Sequence, residues 1–219
     1  MSVAKPSPVP SPVLESMPGA PGLLLASGSA TRRAMLAAAG VPLAGVETAS
    51  VDENTLRKSL RAEGTTTEQA ADRLALAKAE AVAGHHADLL VLGADQMLET
   101  TEGVWLDKPA DRAAARDQLR ALRGTTHRLV SAAVLIQDGR PVWRTLDDAR
   151  LTMRPFGDDV LDAYLDAMGP AVTESVGGYH LEGLGVQLFS CVSGDHFTIL
   201  GLPLLPLLAT LRLHGVIPA

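Results

Sequence analysis

Asp95, the pair Asp52-Glu53, and the lysines Lys78 and Lys108 are the side chains whose types and settings could do chemistry in this sequence. Carboxylates serve as general bases and as oxygen ligands for hard cations, and lysines neutralise anions. The setting of Asp95 is the most telling. The apolar run Leu89-Leu90-Val91-Leu92 is followed at once by Gly93-Ala94-Asp95-Gln96. A run without alternation reads as a strand covered on both faces, and ligands of open α/β sheets sit beyond the carboxyl ends of such strands. The sequence therefore predicts a strand over 89–92 that ends before a catalytic carboxylate. The competing reading is an aspartate that caps the following turn. Val51-Asp52-Glu53 follows an apolar segment, and its two acids together with Asp95 could hold a divalent cation through oxygen.

Three groups of cations accompany these acids. Ala71, Leu74, Ala75, Lys78 and Val82 share one face of a helix, so Lys78 interrupts an apolar stripe and must either snorkel or meet an anion. Lys108 is held before the stiff Pro109 in Leu106-Asp107-Lys108-Pro109. Between the first strand and first helix lies Ser27-Gly28-Ser29-Ala30-Thr31-Arg32-Arg33, rich in hydroxyls at a helix start, where an anion is favoured. Arginine in a first turn is disfavoured by the helix dipole by roughly 0.3 to 1 kcal/mol, and a bound phosphate reverses that. The alternative is a helix capped by Ser29 or Thr31 with both arginines in solvent.

The elements that must position these residues alternate between strand and helix. Strands are predicted over 23–26 and 89–92, helices over 34–39, 67–83, 110–122 and 158–167. A hairpin is predicted from 129–137 and 142–153 joined at Asp138-Gly139, then a strand-like segment over 183–192 and a packed helix over 199–213. The fold class is α/β, and no internal repeat is present at solenoid periods. Residues 1–21, with six prolines among Ser and Gly, read as a flexible tail ahead of a domain over 22–219. A net charge of -6 argues against a polymeric nucleic-acid partner, because a phosphate-tracking surface needs surplus Lys and Arg. The tail lacks the apolar core of an export signal, and residues 199–213 are too short and too interrupted to span a membrane, so no membrane partner and a cytoplasmic location are expected. The one cysteine, Cys191, is expected in the core.

In their order, these segments resemble the Maf family of nucleoside triphosphate pyrophosphatases. The resemblance runs over residues 22–215: the Leu-Ala-Ser-Gly-Ser strand end with its arginines, Val51-Asp52-Glu53, Arg73-Leu74-Ala75 with Lys78, Gly93-Ala94-Asp95, Lys108-Pro109, Leu122-Arg123-Gly124 with His127, and Gly201-Leu202-Pro203-Leu204. No single motif is specific, but the ordered set is. The resemblance implies an elongated central mixed sheet flanked by helices, with two lobes around a cleft, related to the inosine triphosphate pyrophosphatases. It further implies hydrolysis of the α,β-phosphoanhydride of a nucleoside triphosphate to a monophosphate and pyrophosphate, and a homodimer by family habit.

On that resemblance Asp95 is the general base or a metal ligand, and Glu53 helps it hold Mg²⁺, with Mn²⁺ and Co²⁺ as alternatives. Ser27, Ser29 and Arg32 cradle phosphates, while Lys78 and Lys108 neutralise the triphosphate. The chain departs from the common pattern at Ala30 and Thr31, where proline and arginine are usual, and at Glu174-Ser175-Val176-Gly177, where Asp-Lys-Ala-Gly is usual. Gln96 replaces a threonine and Glu182 a glutamine, which resembles the subgroup that prefers 7-methyl-GTP over dTTP and UTP. Two other readings compete: a nucleotide-binding regulator of cell division with little turnover, and a serine hydrolase using Ser27 or Ser29 with His127.

Overall fold

The computed structural model describes residues 13–219; residues 1–12, the larger part of the expected tail, lie outside the described residues. The chain runs β1 (Leu23–Ala26), α1 (Ala30–Ala38), β2 (Leu43–Val46), α2 (Glu53–Ala62), α3 (Thr67–Ala83), β3 (Leu90–Thr100), β4 (Trp105–Leu106) and α4 (Arg112–Leu122). It continues through β5 (Thr126–Gln137), β6 (Arg140–Met153), α5 (Asp158–Met168), β7 (Phe189–Ser193), α6 (His196–Ile199) and α7 (Leu204–Leu213). The strands form a single sheet in the order β2-β1-β3-β5-β6-β7, with β4 added to β3. β1 is parallel to β2 and β3, and the remaining pairs are antiparallel, so the sheet is mixed.

Three strands set the shape. β3, β5 and β6 are 11, 12 and 14 residues long, which at roughly 3.3 Å per residue is enough to run through two halves of the molecule. In the first half both sheet faces are covered. Leu23, Leu25, Leu90 and Leu92 meet Leu204, Leu207 and Leu211 on one side. Leu24, Val91 and Val134 meet Leu74, Ala75 and Ala79 of α3 on the other. That double covering is why 23–26 and 89–92 read as unbroken apolar runs. In the second half Leu98, Leu129 and Leu151 pack with Leu119, Leu122, Leu161 and Leu165 of α4 and α5. The long strands thus carry two lobes, as the family resemblance implies.

The β5–β6 hairpin turns at Asp138-Gly139, with φ of 51° and 70°. Both values are positive, the tight turn that an Asp-Gly pair favours because glycine and, less readily, aspartate tolerate the left-handed region.

Several expectations are corrected. Asp95 does not follow a strand end: β3 continues to Thr100, and Asp95 pairs with Ala132 of β5 in mid-strand. The helix expected over 34–39 starts at Ala30, capped by the Ser29 side chain. The segment 183–192 is strand only from Phe189, preceded by a 3-10 turn over Leu184–Leu188. The helix expected over 199–213 is two, broken at Gly201-Leu202-Pro203. Cys191 is exposed on β7 rather than in the core. The end of the expected tail is tied to the body: Leu14 N donates to Gly40 O and Met17 N to Gly215 O, both at 2.8 Å, and Ser16 Oγ donates to Val216 O at 3.1 Å. Among the described residues no helix is long and apolar enough to cross a membrane.

Candidate active site

A crevice opens where β1 stops and β3 does not. Ala26, the last residue of β1, pairs with Gly93, leaving the neighbouring edge of β3 free from Ala94 until β4 pairs at Leu98. Ser27-Gly28-Ser29 turns into α1 there. The ligand position expected beyond a strand end therefore exists, but the strand that ends is β1. Ser27 Oγ accepts from Ser29 N and from Arg32 Nη1, each at 3.2 Å, and Ser29 Oγ caps α1 by accepting from Arg32 N at 3.2 Å. Arg33 is exposed, whereas Arg32 turns inward and is buried. Its Nε donates to Gly201 O at 2.8 Å and its Nη1 to Ala94 O at 3.0 Å, so carbonyls from the last loop and from the free edge of β3 hold the guanidinium. Nη2 makes none of these bonds. Burial pushes Arg32 below the ordinary arginine value, with Asp95 and Glu53 opposing that shift.

Gly93 explains how Lys78 finds Asp95. A Cβ on Gly93 would lie 2.3 Å from the Ala75 carbonyl oxygen and 2.7 Å from Ala79 Cβ, so α3 packs on β3 at a separation only glycine permits. Asp95 is two residues further along and therefore on the same sheet face, while Lys78 immediately precedes Ala79 on the helix. Lys78 Nζ donates to Asp95 Oδ1 at 2.6 Å and lies 2.9 Å from Glu53 Oε1. The apolar stripe is interrupted because its lysine meets two anions; the snorkelling alternative does not hold. The Asp95 side chain is only 3% exposed, and its Oδ2 has no hydrogen-bond partner.

The next wall comes from α2. Asp52 is its N-cap, accepting from Thr55 N at 3.0 Å and Thr55 Oγ1 at 2.7 Å, so its carboxylate is engaged in the helix cap although it borders the same cavity. Glu53, the first helical residue, faces the cleft. One turn later stands Arg57, which the sequence reading missed. Its Nη2 is 3.2 Å from Glu53 Oε2 and 3.5 Å from Asp95 Oδ2, and its Nη1 is bonded to Asp107, beside Lys108. The i,i+4 spacing of Glu53 and Arg57 was visible in the sequence, but nothing there indicated which face of α2 looks inward. Burial alone would lower Arg57, yet Asp95, Asp107 and Glu53 together hold it above the ordinary arginine value. Lys108 lines the same cleft; desolvation, then Arg32 and Lys78, push its ammonium down from the usual lysine value.

The opposite wall is the loop through Tyr179, His180 and Glu182. His180 Nδ1 lies 3.6 Å from Glu182 Oε1; this partner raises His180 and holds Glu182 below the usual carboxylate value, with burial opposing in each case. Gln96 also lines the cavity, but its amide nitrogen is directed to Ser131 Oγ and to the Thr198 and Ile199 carbonyls at 2.9 to 3.0 Å. His127 is not with the serines. It is buried, bonded through Nε2 to Tyr179 Oη at 2.7 Å and packed near Phe189, and burial lowers it to about 4. His127 therefore does not pair with Ser27 or Ser29 as a nucleophile's base.

These walls enclose a cavity of about 470 Å³ lined by Arg32, Arg57, Lys78 and Lys108 among its cations and by Glu53, Asp95 and Glu182 among its acids. Four cations facing a buried carboxylate suit a polyphosphate held for attack at phosphorus. The sequence pattern of the Maf-like protein family matches residues 22–214 of the chain. The chain belongs to the Maf family. Similar sequences over nearly their whole length include a protein of Paramagnetospirillum magneticum, 53% identical over 88% of this chain and 98% of the relative. Others come from Rhodospirillum rubrum, 45% identical over 90% and 96%, and Nitrobacter winogradskyi, 48% identical over 89% and 94%. Each of those three is named a nucleoside triphosphate pyrophosphatase. Ser29, Arg32, Glu53, Lys78, Asp95, Gln96, Lys108 and Glu182 line this Maf-family cleft, and Ser27 bonds to Arg32.

A divalent cation fits the residues present in one manner only. Among the described residues no three His, Cys, Asp or Glu side chains are grouped to hold a metal. Glu53 and Asp95 offer two carboxylates, and Asp95 Oδ2 is a buried oxygen without a hydrogen bond. Mg²⁺ is commonly held by one or two carboxylates, with water and substrate phosphates completing the shell. The site suits a metal shared with a nucleotide, not an all-protein cage.

Proposed function

We propose that the protein hydrolyses the α,β-phosphoanhydride of a nucleoside triphosphate, releasing a nucleoside monophosphate and pyrophosphate, with 7-methyl-GTP favoured over dTTP and UTP. The observation that carries the reaction is Asp95: a buried carboxylate with Oδ1 fixed by Lys78 and Oδ2 left without a hydrogen bond, in a cleft supplied with four cations. In-line attack by water needs positioning and positive charge, and little covalent chemistry from the protein. Asp95 orients the attacking water and takes its proton, or would serve as a ligand of the divalent cation. Arg32, Lys78 and Lys108 neutralise charge on the phosphates, with Ser27 and Ser29 shaping the loop that receives them. Glu53 and Asp95 would hold a divalent cation, Mg²⁺ in first place, which would supply charge neutralisation at the phosphates.

The choice of base rests on Glu182. Guanine presents N1–H and N2–H₂ donors side by side, and one carboxylate accepts both, whereas an amide matches only one. The His180 partner keeps Glu182 anionic. Methylation at N7 adds positive charge to the ring, which a nearby acid favours. Gln96, its nitrogen directed to the Thr198 and Ile199 carbonyls at the end of α6, would present its Oε1 to the base.

The test is a side-by-side assay of kcat/KM for 7-methyl-GTP, GTP, dTTP and UTP with Mg²⁺. A preference for 7-methyl-GTP that narrows or reverses in Glu182→Gln supports the assignment. Equal or better kcat/KM for dTTP sinks it, while leaving the pyrophosphatase reading to be judged on its products.

A further inference from the structure

We propose that Arg57 is a resident counter-cation of the Glu53–Asp95 pair, occupying the space between the two carboxylates in the free protein and competing there with the divalent cation, so that metal and nucleotide load together. The inference rests on the reading above in which these two acids hold the metal. Its basis is the way the guanidinium is held. Nη2 reaches both acids, at 3.2 Å to Glu53 Oε2 and 3.5 Å to Asp95 Oδ2, but only the first contact is a hydrogen bond. Asp95 Oδ2 and Arg57 Nε are both buried without a hydrogen-bond partner. A purely structural buried pair satisfies its donors and acceptors, since an unsatisfied polar group in low dielectric is costly. Here the charge is matched and the hydrogen bonding is not, which is the condition of a cation that can be exchanged.

The surroundings provide for that exchange. Arg57 has a second anchor in Asp107, so it can release Asp95 without leaving its place on α2. Free metal must enter a site already holding Arg57 and Lys78, whose positive charges repel it. A triphosphate reverses the balance, because it brings negative charge to the cleft and offers the guanidinium bidentate phosphate contacts. Metal affinity is then low without nucleotide and high with it, a coupling that must act equally on both ligands.

The experiment is Mn²⁺ binding by electron paramagnetic resonance on the full chain, with no turnover involved. Wild type, Arg57→Gln, Arg57→Met and Arg61→Gln are compared with and without an α,β-methylene nucleoside triphosphate. Arg61 lies one turn further along α2, stacked on Trp105 at 5.0 Å from the ring centroid, and serves as a control for net charge. In wild type the analogue should strengthen Mn²⁺ binding. Both Arg57 variants should bind Mn²⁺ alone at least about 5-fold more tightly than wild type and lose most of the nucleotide's enhancement, while Arg61→Gln behaves as wild type. Unchanged Mn²⁺ affinity in either folded Arg57 variant overturns the proposal. So does an equal gain in Arg61→Gln, or a wild type without nucleotide enhancement, which can be read even if the Arg57 variants do not fold. Absence of Mn²⁺ binding in every protein under both conditions instead removes the metal seat on which the inference rests.

Discussion

The wall of the cleft that carries Asp95 and the wall that carries Glu182 are made by different means. Asp95 stands in the middle of an 11-residue strand, and Lys78 reaches it from a 17-residue helix packed on that strand. Glu182 stands in a loop between 3-10 turns, is 38% exposed, and has one polar neighbour at 3.6 Å. Regular packed elements hold side chains to a fraction of an ångström, whereas turns tolerate change at little cost to the fold. The first wall suits a reaction that demands fixed geometry. The second suits a selection among bases that can vary while the chemistry stays.

Replacing Asp95 by Asn should have the largest effect on activity. If the packed wall holds the reacting carboxylate, kcat falls by at least about 100-fold with nucleotide binding largely kept. Steady-state kinetics paired with a binding titration would separate the two, and an active variant would move the chemistry off this wall. Gly93→Ala acts on the same wall without touching a charge. The added methyl meets the Ala75 carbonyl and Ala79, so α3 must shift, at a cost of about 1 to 3 kcal/mol in urea unfolding. Activity should fall with it, since Lys78 moves with the helix. A variant of unchanged stability would mean that the helix–strand approach is not what fixes Lys78.

The second wall can be loosened by acid. His127, held at about 4 by burial, anchors Tyr179, the residue before His180. The unfolded chain takes up this proton near pH 6.5 and the folded chain only near 4, so stability falls as pH drops through that window. The slope from this group is at most about 1.4 kcal/mol per pH unit. His127→Phe should be less stable at pH 7 but should lose less between pH 7 and pH 5, as read from urea midpoints; an unchanged difference would assign the acid loss to other groups. The smallest effect is expected from Glu182→Gln, a change of several-fold in the ratio of 7-methyl-GTP to dTTP hydrolysis, with melting temperature nearly unchanged. A large loss of stability there would show that this wall is not the tolerant one.

What could be read from the sequence follows the same division. Helix α3 matches its expected bounds because apolar spacing and a Thr66–Gln69 capping box mark it directly. Lys78 and Asp95 were legible as intrusions of charge into apolar patterns. Gly93 was misread as a strand end, because a glycine that admits a helix and one that makes a turn look alike in a sequence. Arg57 was missed since the direction α2 faces depends on a tertiary arrangement that local spacing does not record. The segment around Glu182 was read as strand from Gly183 onward, although Leu184–Leu188 is a 3-10 turn whose few apolar residues fit either period. Cys191 was placed in the core by residue type alone, but it falls on β7, the outer strand of the sheet, where burial is incomplete.

Phosphorus NMR of a single reaction mixture shows whether the packed wall directs water at the α,β-anhydride with a divalent cation. With 7-methyl-GTP and Mg²⁺, resonances of pyrophosphate and the nucleoside monophosphate should appear in equal amounts, and none when excess chelator is present. Orthophosphate with nucleoside diphosphate as the products, or turnover undiminished by chelator, would contradict it.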